Sequence, residues 1–382
     1  MSTNHENAIS RDQSLPLFEP RTVRFTCEVE AAKVPPIDAQ ADAWFRESRA
    51  LESYEILEEE RDYKRIVQLT RAAAERHHWK AMLNLASLYV EKRDPEHGIE
   101  DAVSLVEKAM RLGIPAAYDR MGTFYMNGTG VMPDQTRAYA FWQKAAQMGS
   151  PQAQAFFAEK FDVGPDSENA NHWSNIPIAI KLYECAFSQG YGPAAYDLFY
   201  LYEVPRDSTG KILRLPTQET MLRALKVLHE GVKYGCEKCA NKLAIEFGDP
   251  FEPARLRVPF IDKSRGDRYQ VLSNELDFNP NARFPNIDKV VPLPPADLPL
   301  WNGDRDTLLA AAMGVTLPLT PAKTSMASNR LAPPHPDPQY KLRFYGEQTM
   351  APNAPLPGYW QPDANHYLDA ACRVLARTPP RA

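Results

Sequence analysis

Two cysteines three residues apart, Cys236-Glu-Lys-Cys239, have the spacing of half a zinc site or of a dithiol–disulfide pair. A structural zinc site needs four ligands, and no second cysteine pair or matching histidine pair follows this one. His229-Glu230 lacks the second histidine that a zinc-protease helix carries. Gly128-Thr-Gly130 lacks the Gly-Lys-Ser/Thr that completes a phosphate loop. The chain has no Gly-x-Ser-x-Gly nucleophile elbow, and no motif surrounds Cys27. His77-His78 and Glu58-Glu59-Glu60 read as packing or surface residues and as a solvated helix end. The expectation is therefore of no metal site, no cofactor and no catalytic centre.

Composition narrows the class further. With 382 residues, 44% of them hydrophobic and 24% charged, the chain can bury a sizeable core as one long repeat domain or two ordinary domains. A formal net charge of -5 offers no basic field to nucleic acid or an anionic membrane. Basic runs are short and interrupted by acids, as in Arg61-Asp62-Tyr63-Lys64-Arg65. No apolar stretch approaches the roughly 20 residues of a membrane span. Met1 to Pro20 lacks the apolar core of a secretory signal, which predicts a cytoplasmic protein, or a periplasmic one if a leader has been removed. Five cysteines (27, 185, 236, 239 and 372) are an odd, thin scatter that predicts reduced thiols rather than a disulfide framework.

The elements follow from an internal repeat. Ala81, Ala117 and Ala153 open units at a constant step of 36, and looser copies open at Ala195 and Ala240, after steps of 42 and 45. In the clearest unit, Met121, Gly122 and Tyr125 share one helical stripe, and Gly122 lets a neighbouring helix approach. Gly128-Thr-Gly130 turns the chain, and Asp134 stands where an N-cap is favoured. Ala138, Phe141, Trp142 and Ala145 form a second apolar face that Gly149 ends as a left-handed cap. Such a helix pair cannot bury its face alone and must stack. Cys236 and Cys239 align with ordinary joints between units, as do His77-His78.

The predicted architecture is thus all-α: an extended segment at 1–38, a helix-turn-helix solenoid at 39–280, and a proline- and aromatic-rich extension at 281–382. Helices are expected over 39–57, 61–76, 176–189, 217–234 and 262–276, with an insertion at 204–216. Residues 281–382 hold 17 of the 34 prolines, which exclude long helices and central strands. Trp301, Phe344, Tyr345, Tyr359 and Trp360 are interleaved with them, which predicts a tail that packs along the solenoid and a short helix over 367–376. If Met121, Gly122 and Tyr125 point inward, Asp119, Thr123 and Asn127 face the concavity, and the same register exposes Leu83, Ser87, Gln152 and Glu159. These seven, with Tyr359 and Trp360 as aromatic anchors, are the candidate partner contacts.

The spacing and residue types over 80–247 resemble the Sel1-like repeat, most specifically at 115–153. Phe25-Thr-Cys-Glu28, Pro35-Pro-Ile-Asp38, Ile287 to Pro295 and Leu298-Pro-Leu-Trp301 extend the likeness to a family of bacterial Sel1-repeat proteins. Members of that family are often encoded beside type VI secretion effectors, and some are immunity proteins that block a toxic lipase. The resemblance implies a non-enzymatic, protein-binding solenoid that sequesters an effector, in particular a phospholipase. The alternatives are a general Sel1-type adaptor for signalling or envelope-stress complexes, and a hydrolase with its site in the proline-rich tail.

Overall fold

The computed structural model describes residues 11–12, 14–19, 24–163, 173–204, 211–212, 217–248 and 261–315. All regular elements among them are helical: α1 (Ala39–Leu51), α2 (Tyr63–Glu75), α3 (Trp79–Val90), α4 (Ile99–Arg111), α5 (Pro115–Asn127), α6 (Gln135–Met148), α7 (Pro151–Phe161), α8 (Ile176–Ser188), α9 (Ala194–Glu203), α10 (Gln218–Lys233), α11 (Glu237–Gly248), α12 (Lys263–Phe278), α13 (Ile287–Val290) and α14 (Arg305–Met313). Odd-numbered helices up to α11 each pack on the next even one, and each pair stacks on its neighbour.

Short polar side chains start the helices. The carboxylates of Asp38, Asp62, Asp134 and Asp262 accept from the backbone N–H of the third residue beyond, and the Ser150 hydroxyl does the same. His78 caps α3 with its ring, Nδ1 accepting from the Ala81 N–H at 3.1 Å. Gly149 ends α6 with φ 110°, as expected of a left-handed cap. Gly122 supplies the close approach between α5 and α6, since a Cβ there would lie 2.6 Å from the Trp142 ring. The helix expected over 39–57 stops at Leu51, where Glu52 turns inward to an ion pair with Arg49.

Two apolar cores result. The first runs from Ala41 to α9 and is built from alanines facing large residues such as Met82, Tyr118, Phe141 and Phe161. The second gathers α9 to α12 with Ala282, Phe284, Ile287, Val291, Leu308 and Ala312. The wall between them is α9: Leu198 and Leu201 face the first core, Ala195 and Phe199 the second. Residues 282–313, past the expected end of the helical domain at 280, therefore pack as part of that second core.

Two buried arginines of α12 hold the proline-rich stretch there. Arg265 donates to the carbonyls of Pro292 (2.8 Å) and Ala296 (2.5 Å). Arg268 donates to those of Val290 and Pro299 and lies 5.5 Å from the centre of the Trp301 ring. A proline-rich segment has few N–H donors but keeps every carbonyl, so guanidinium groups are the natural partners.

The described residues before α1 lie against the array, with a short 3-10 turn at Glu30–Ala32. Phe18 packs among Tyr139, Phe157, Phe161 and Trp173. Cys27 is disulfide-bonded to Cys185 at the end of α8, 158 residues away. The Glu30 carboxylate accepts from the Ala116 N–H at 3.1 Å, at the start of α5. The reduced thiols expected from the count are thus corrected: Cys236 and Cys239 are also disulfide-bonded, at the start of α11. Five cysteines hide two pairs, because one partner of the long-range bridge sits in the extended segment, outside the repeat.

Candidate partner-binding surface

First helices of successive units touch across the intervening second helices, α5 meeting α7 and α9 meeting α11. They share one face of the array, the face that a stack of helix pairs offers to a partner. On α5, Asp119 and Thr123 are half-buried and Asn127 is exposed, and on α7 Glu159 is exposed. The Asp119 carbonyl accepts from Trp142 Nε1 at 3.1 Å and from the Thr123 hydroxyl at 3.3 Å, which fixes this stretch of helix. Burial pushes the Asp119 carboxyl up to about 6, against the lowering influence of Arg120.

Three of the expected positions are not at the surface. Leu83 is 1% exposed and belongs to the first core. Ser87 is buried beneath Arg120, whose Nη1 donates to its hydroxyl at 3.0 Å. Gln152 is buried beside the Ser150 hydroxyl that caps α7. A constant register carries residue type from one unit to the next, but α3 lies deep among α2, α4 and the arm of Arg120, so the same register meets different surroundings. Tyr359 and Trp360, like the helix expected over 367–376, lie outside the described residues.

The same face carries residues that the register did not single out. Asp197 on α9 is pushed up to about 6, first by burial and then by the like charges of Asp162 and Glu159. Next to this acidic group, Lys160 lies 5.1 Å from the Phe156 ring centre and 3.1 Å from Glu159. Further along, Tyr196 and Tyr200 share a hydroxyl contact at 3.2 Å, and Lys238 lies over Tyr196 at 5.8 Å. Tyrosines with charged neighbours are the composition of binding hot spots. Steps of 42 and 45 in place of 36 concealed their shared register.

His229, set aside in the sequence, is the buried centre of a chain that reaches the surface at Asp288. Its Nδ1 lies 2.7 Å from the Tyr269 hydroxyl and its Nε2 2.7 Å from Asp288 Oδ1. Lys233 Nζ holds the other oxygen of Asp288 at 2.7 Å. The order acid–imidazole–hydroxyl is that of a nucleophilic triad, and a cavity of about 330 Å³ opens beside it, lined in part by Leu222, Leu225 and Pro294. Tyr269, however, is 0% exposed, so no substrate atom reaches its hydroxyl. The chain pins α13 to α10 and α12. Among the described residues, no group of three or more His, Cys, Asp or Glu side chains is placed to hold a metal ion, and no helix is long and apolar enough to cross a membrane.

Comparison with known proteins fits this geometry. The Sel1 repeat matches residues 115–150 and 174–191, and the domain of unknown function DUF6396 matches 250–332, the part of the chain that carries α12 to α14. No curated protein matches by sequence. Among solved structures, the Pseudomonas aeruginosa immunity protein Pa5087 is 32% identical with a TM-score of 0.53, over 71% of this chain and 95% of its own. Immunity protein PA5088 of the same organism is 29% identical with a TM-score of 0.55, over 71% and 94%. P. aeruginosa PA5086 is 29% identical with a TM-score of 0.53, over 72% and 96%. A shared helix-pair array, near-complete coverage of those proteins and this level of identity place the chain in the family of Sel1-repeat proteins that includes immunity protein Pa5087.

Proposed function

We propose that this protein is an immunity protein that binds a type VI secretion effector and occludes its active site, the effector being a phospholipase. The observation that carries this reading is the likeness to Pa5087 across 95% of that protein. The shared face of α5, α7, α9 and α11 supports it, because its tyrosines, lysines and partly buried acids suit a protein partner. Protection then comes from binding rather than from chemistry.

The two disulfides bear on where this happens. Disulfides form and persist in oxidising compartments. The reading therefore favours a periplasmic site of action over the cytoplasmic one expected from the first 20 residues.

The test is to express a type VI phospholipase effector from the same host in a sensitive strain, with and without this protein, and to assay lipid hydrolysis by the purified pair. Growth rescue together with stoichiometric loss of hydrolysis is the expected result. Rescue without complex formation, or a complex that leaves hydrolysis intact, overturns it. Asp197→Lys and Tyr200→Ala should each weaken the complex at least tenfold if the shared face is the one used.

A further inference from the structure

The N-terminal segment is held in two different ways, and its first part lies in what has the form of an occupied peptide cleft. At one end of that cleft Arg11 is bound by two carboxylates of α4. Its Nε and Nη2 donate to Glu107 at 3.1 and 3.2 Å, and its Nη1 to Glu100 at 3.3 Å. The main chain of Arg11 is also read in both directions. Its N–H donates to Glu107 Oε1 at 2.7 Å, and its carbonyl accepts from the Tyr125 hydroxyl at 2.5 Å. Seven residues on, Phe18 enters a box of four aromatic rings, with centroid distances of 4.8 Å to Phe157, 5.1 Å to Trp173, 5.7 Å to Tyr139 and 6.2 Å to Phe161. Between these anchors Asp12 pairs with Arg137 at 3.4 Å and Leu15 packs partly against the first core, while Leu17 is 64% exposed.

We propose that this cleft, formed by Glu100, Glu107, Tyr125 and the box of Tyr139, Phe157, Phe161 and Trp173, is a recognition site for an extended peptide segment of the partner protein that bears a basic residue and an aromatic one, and that Arg11 and Phe18 occupy its two anchors in the free state. The inference rests on the reading above in taking the partner to be a protein. Charge selects the occupant: two carboxylates side by side require a cation, and an aromatic box requires an aromatic or apolar side chain. Main-chain contacts at the first anchor would serve any sequence with those two features, as in other clefts that bind extended peptides. Release of the native occupant is local, because Cys27 is bonded to Cys185 and the Glu30 carboxylate holds the Ala116 N–H, so the chain beyond stays in place.

The experiment uses the full chain with Arg11→Ala and Phe18→Ala, which vacates both anchors. A fluorescein-labelled peptide copying residues 9–19 is titrated and followed by anisotropy, with circular dichroism confirming the helical fold. The vacated chain should bind it at least tenfold more tightly than the wild type does. A peptide lacking the Arg and Phe, or Glu107→Lys in the vacated chain, should abolish binding. If the vacated chain binds no better than the wild type, or if a scrambled peptide binds equally, the cleft is not a recognition site.

In the wild type, excess peptide should also speed tryptic cleavage after Arg11, which the two glutamates otherwise shield. An unchanged rate overturns the proposal even where the double variant folds poorly. Because neither assay contains an effector, failure here leaves the immunity reading standing. Peptide binding in a protein that blocks no effector does the reverse.

Discussion

The first and second cores solve the same packing problem by different chemistry. From α3 to α7, a constant step brings alanines such as Ala81, Ala117 and Ala153 opposite aromatic and long apolar side chains, and close helix approach does the rest. From α9 onward the steps lengthen, and the elements are tied by polar groups placed inside: Arg265 and Arg268 on the carbonyls of 290–299, and His229 between Tyr269 and Asp288. Shape complementarity is intolerant of added volume. Buried polar ties fail instead when a partner is removed, because each then leaves an unpaired group.

The sharpest way to break the contrast is to add volume in the first core. Gly122→Leu drives a side chain into the Trp142 ring and should cost roughly 3 kcal/mol or more. Native-state hydrogen exchange should show lost protection in α5 and α6 while α11 and α12 keep theirs. Loss spread evenly over both cores would mean that they are one cooperative unit. Next in size, Arg268→Met strands the carbonyls of Val290 and Pro299 and should cost about 2–3 kcal/mol. The loss should be confined to 287–313, and a global fall in melting temperature with no local signature would contradict the division.

Acidity should move the two cores in opposite directions. Burial raises the Glu30 carboxyl to about 8, so between about pH 4.5 and 8 it takes up a proton on folding. That contribution is complete below the unfolded value near 4.5 and is lost as the pH rises towards 8. Glu91 and Asp119, raised by burial to about 7 and about 6, act in the same sense, and the depressed His78 partly offsets them. In the second core, burial lowers His229, and the bonds from Lys233 and His229 hold Asp288 low despite its own desolvation. Their contribution is present above the unfolded values and fades as the pH falls through about 6.5 and then about 4. Between pH 8 and pH 5.5, α1 to α7 should gain exchange protection while 263–313 lose it. Glu30→Gln should flatten the first trend by about 2 kcal/mol. The smallest effect expected is from Arg11→Ala, under about 1 kcal/mol because the ion pair is partly exposed, read as the shift of the first transition in urea.

Much of the first core was legible in the sequence because its signal is periodic. Gly122, Asp134 and Gly149 could each be assigned a role from spacing alone, and each has that role. The binding face was harder to read. Periodicity tells which side of a helix is apolar, but the burial of Ser87 depends on Arg120, which arrives from the next unit and has no local signature. Asp197, Tyr196 and Tyr200 were concealed by the lengthened steps. The cysteine pairs escaped because Cys27 precedes the repeats. That the proline-rich stretch packs was expected, but its means was not, because prolines signal the absence of helix and not the presence of arginine donors elsewhere. His229 read as an incomplete metal motif, since its partners lie 40 and 59 residues away.

The bridge between Cys27 and Cys185 also has a mechanical consequence. A repeat array pulled from one end can peel unit by unit, each step breaking only one interface. Here a pull on the N-terminus passes through the sulfur–sulfur bond into the end of α8, and α1 to α7 lie inside a closed covalent loop that bears no load. An unfolding machine that grips the N-terminus of the oxidised protein must begin in the middle of the array, where α8 and α9 join the two cores. One that grips the reduced protein can start at α1. The same chain would therefore resist extraction in one compartment and yield to it in another.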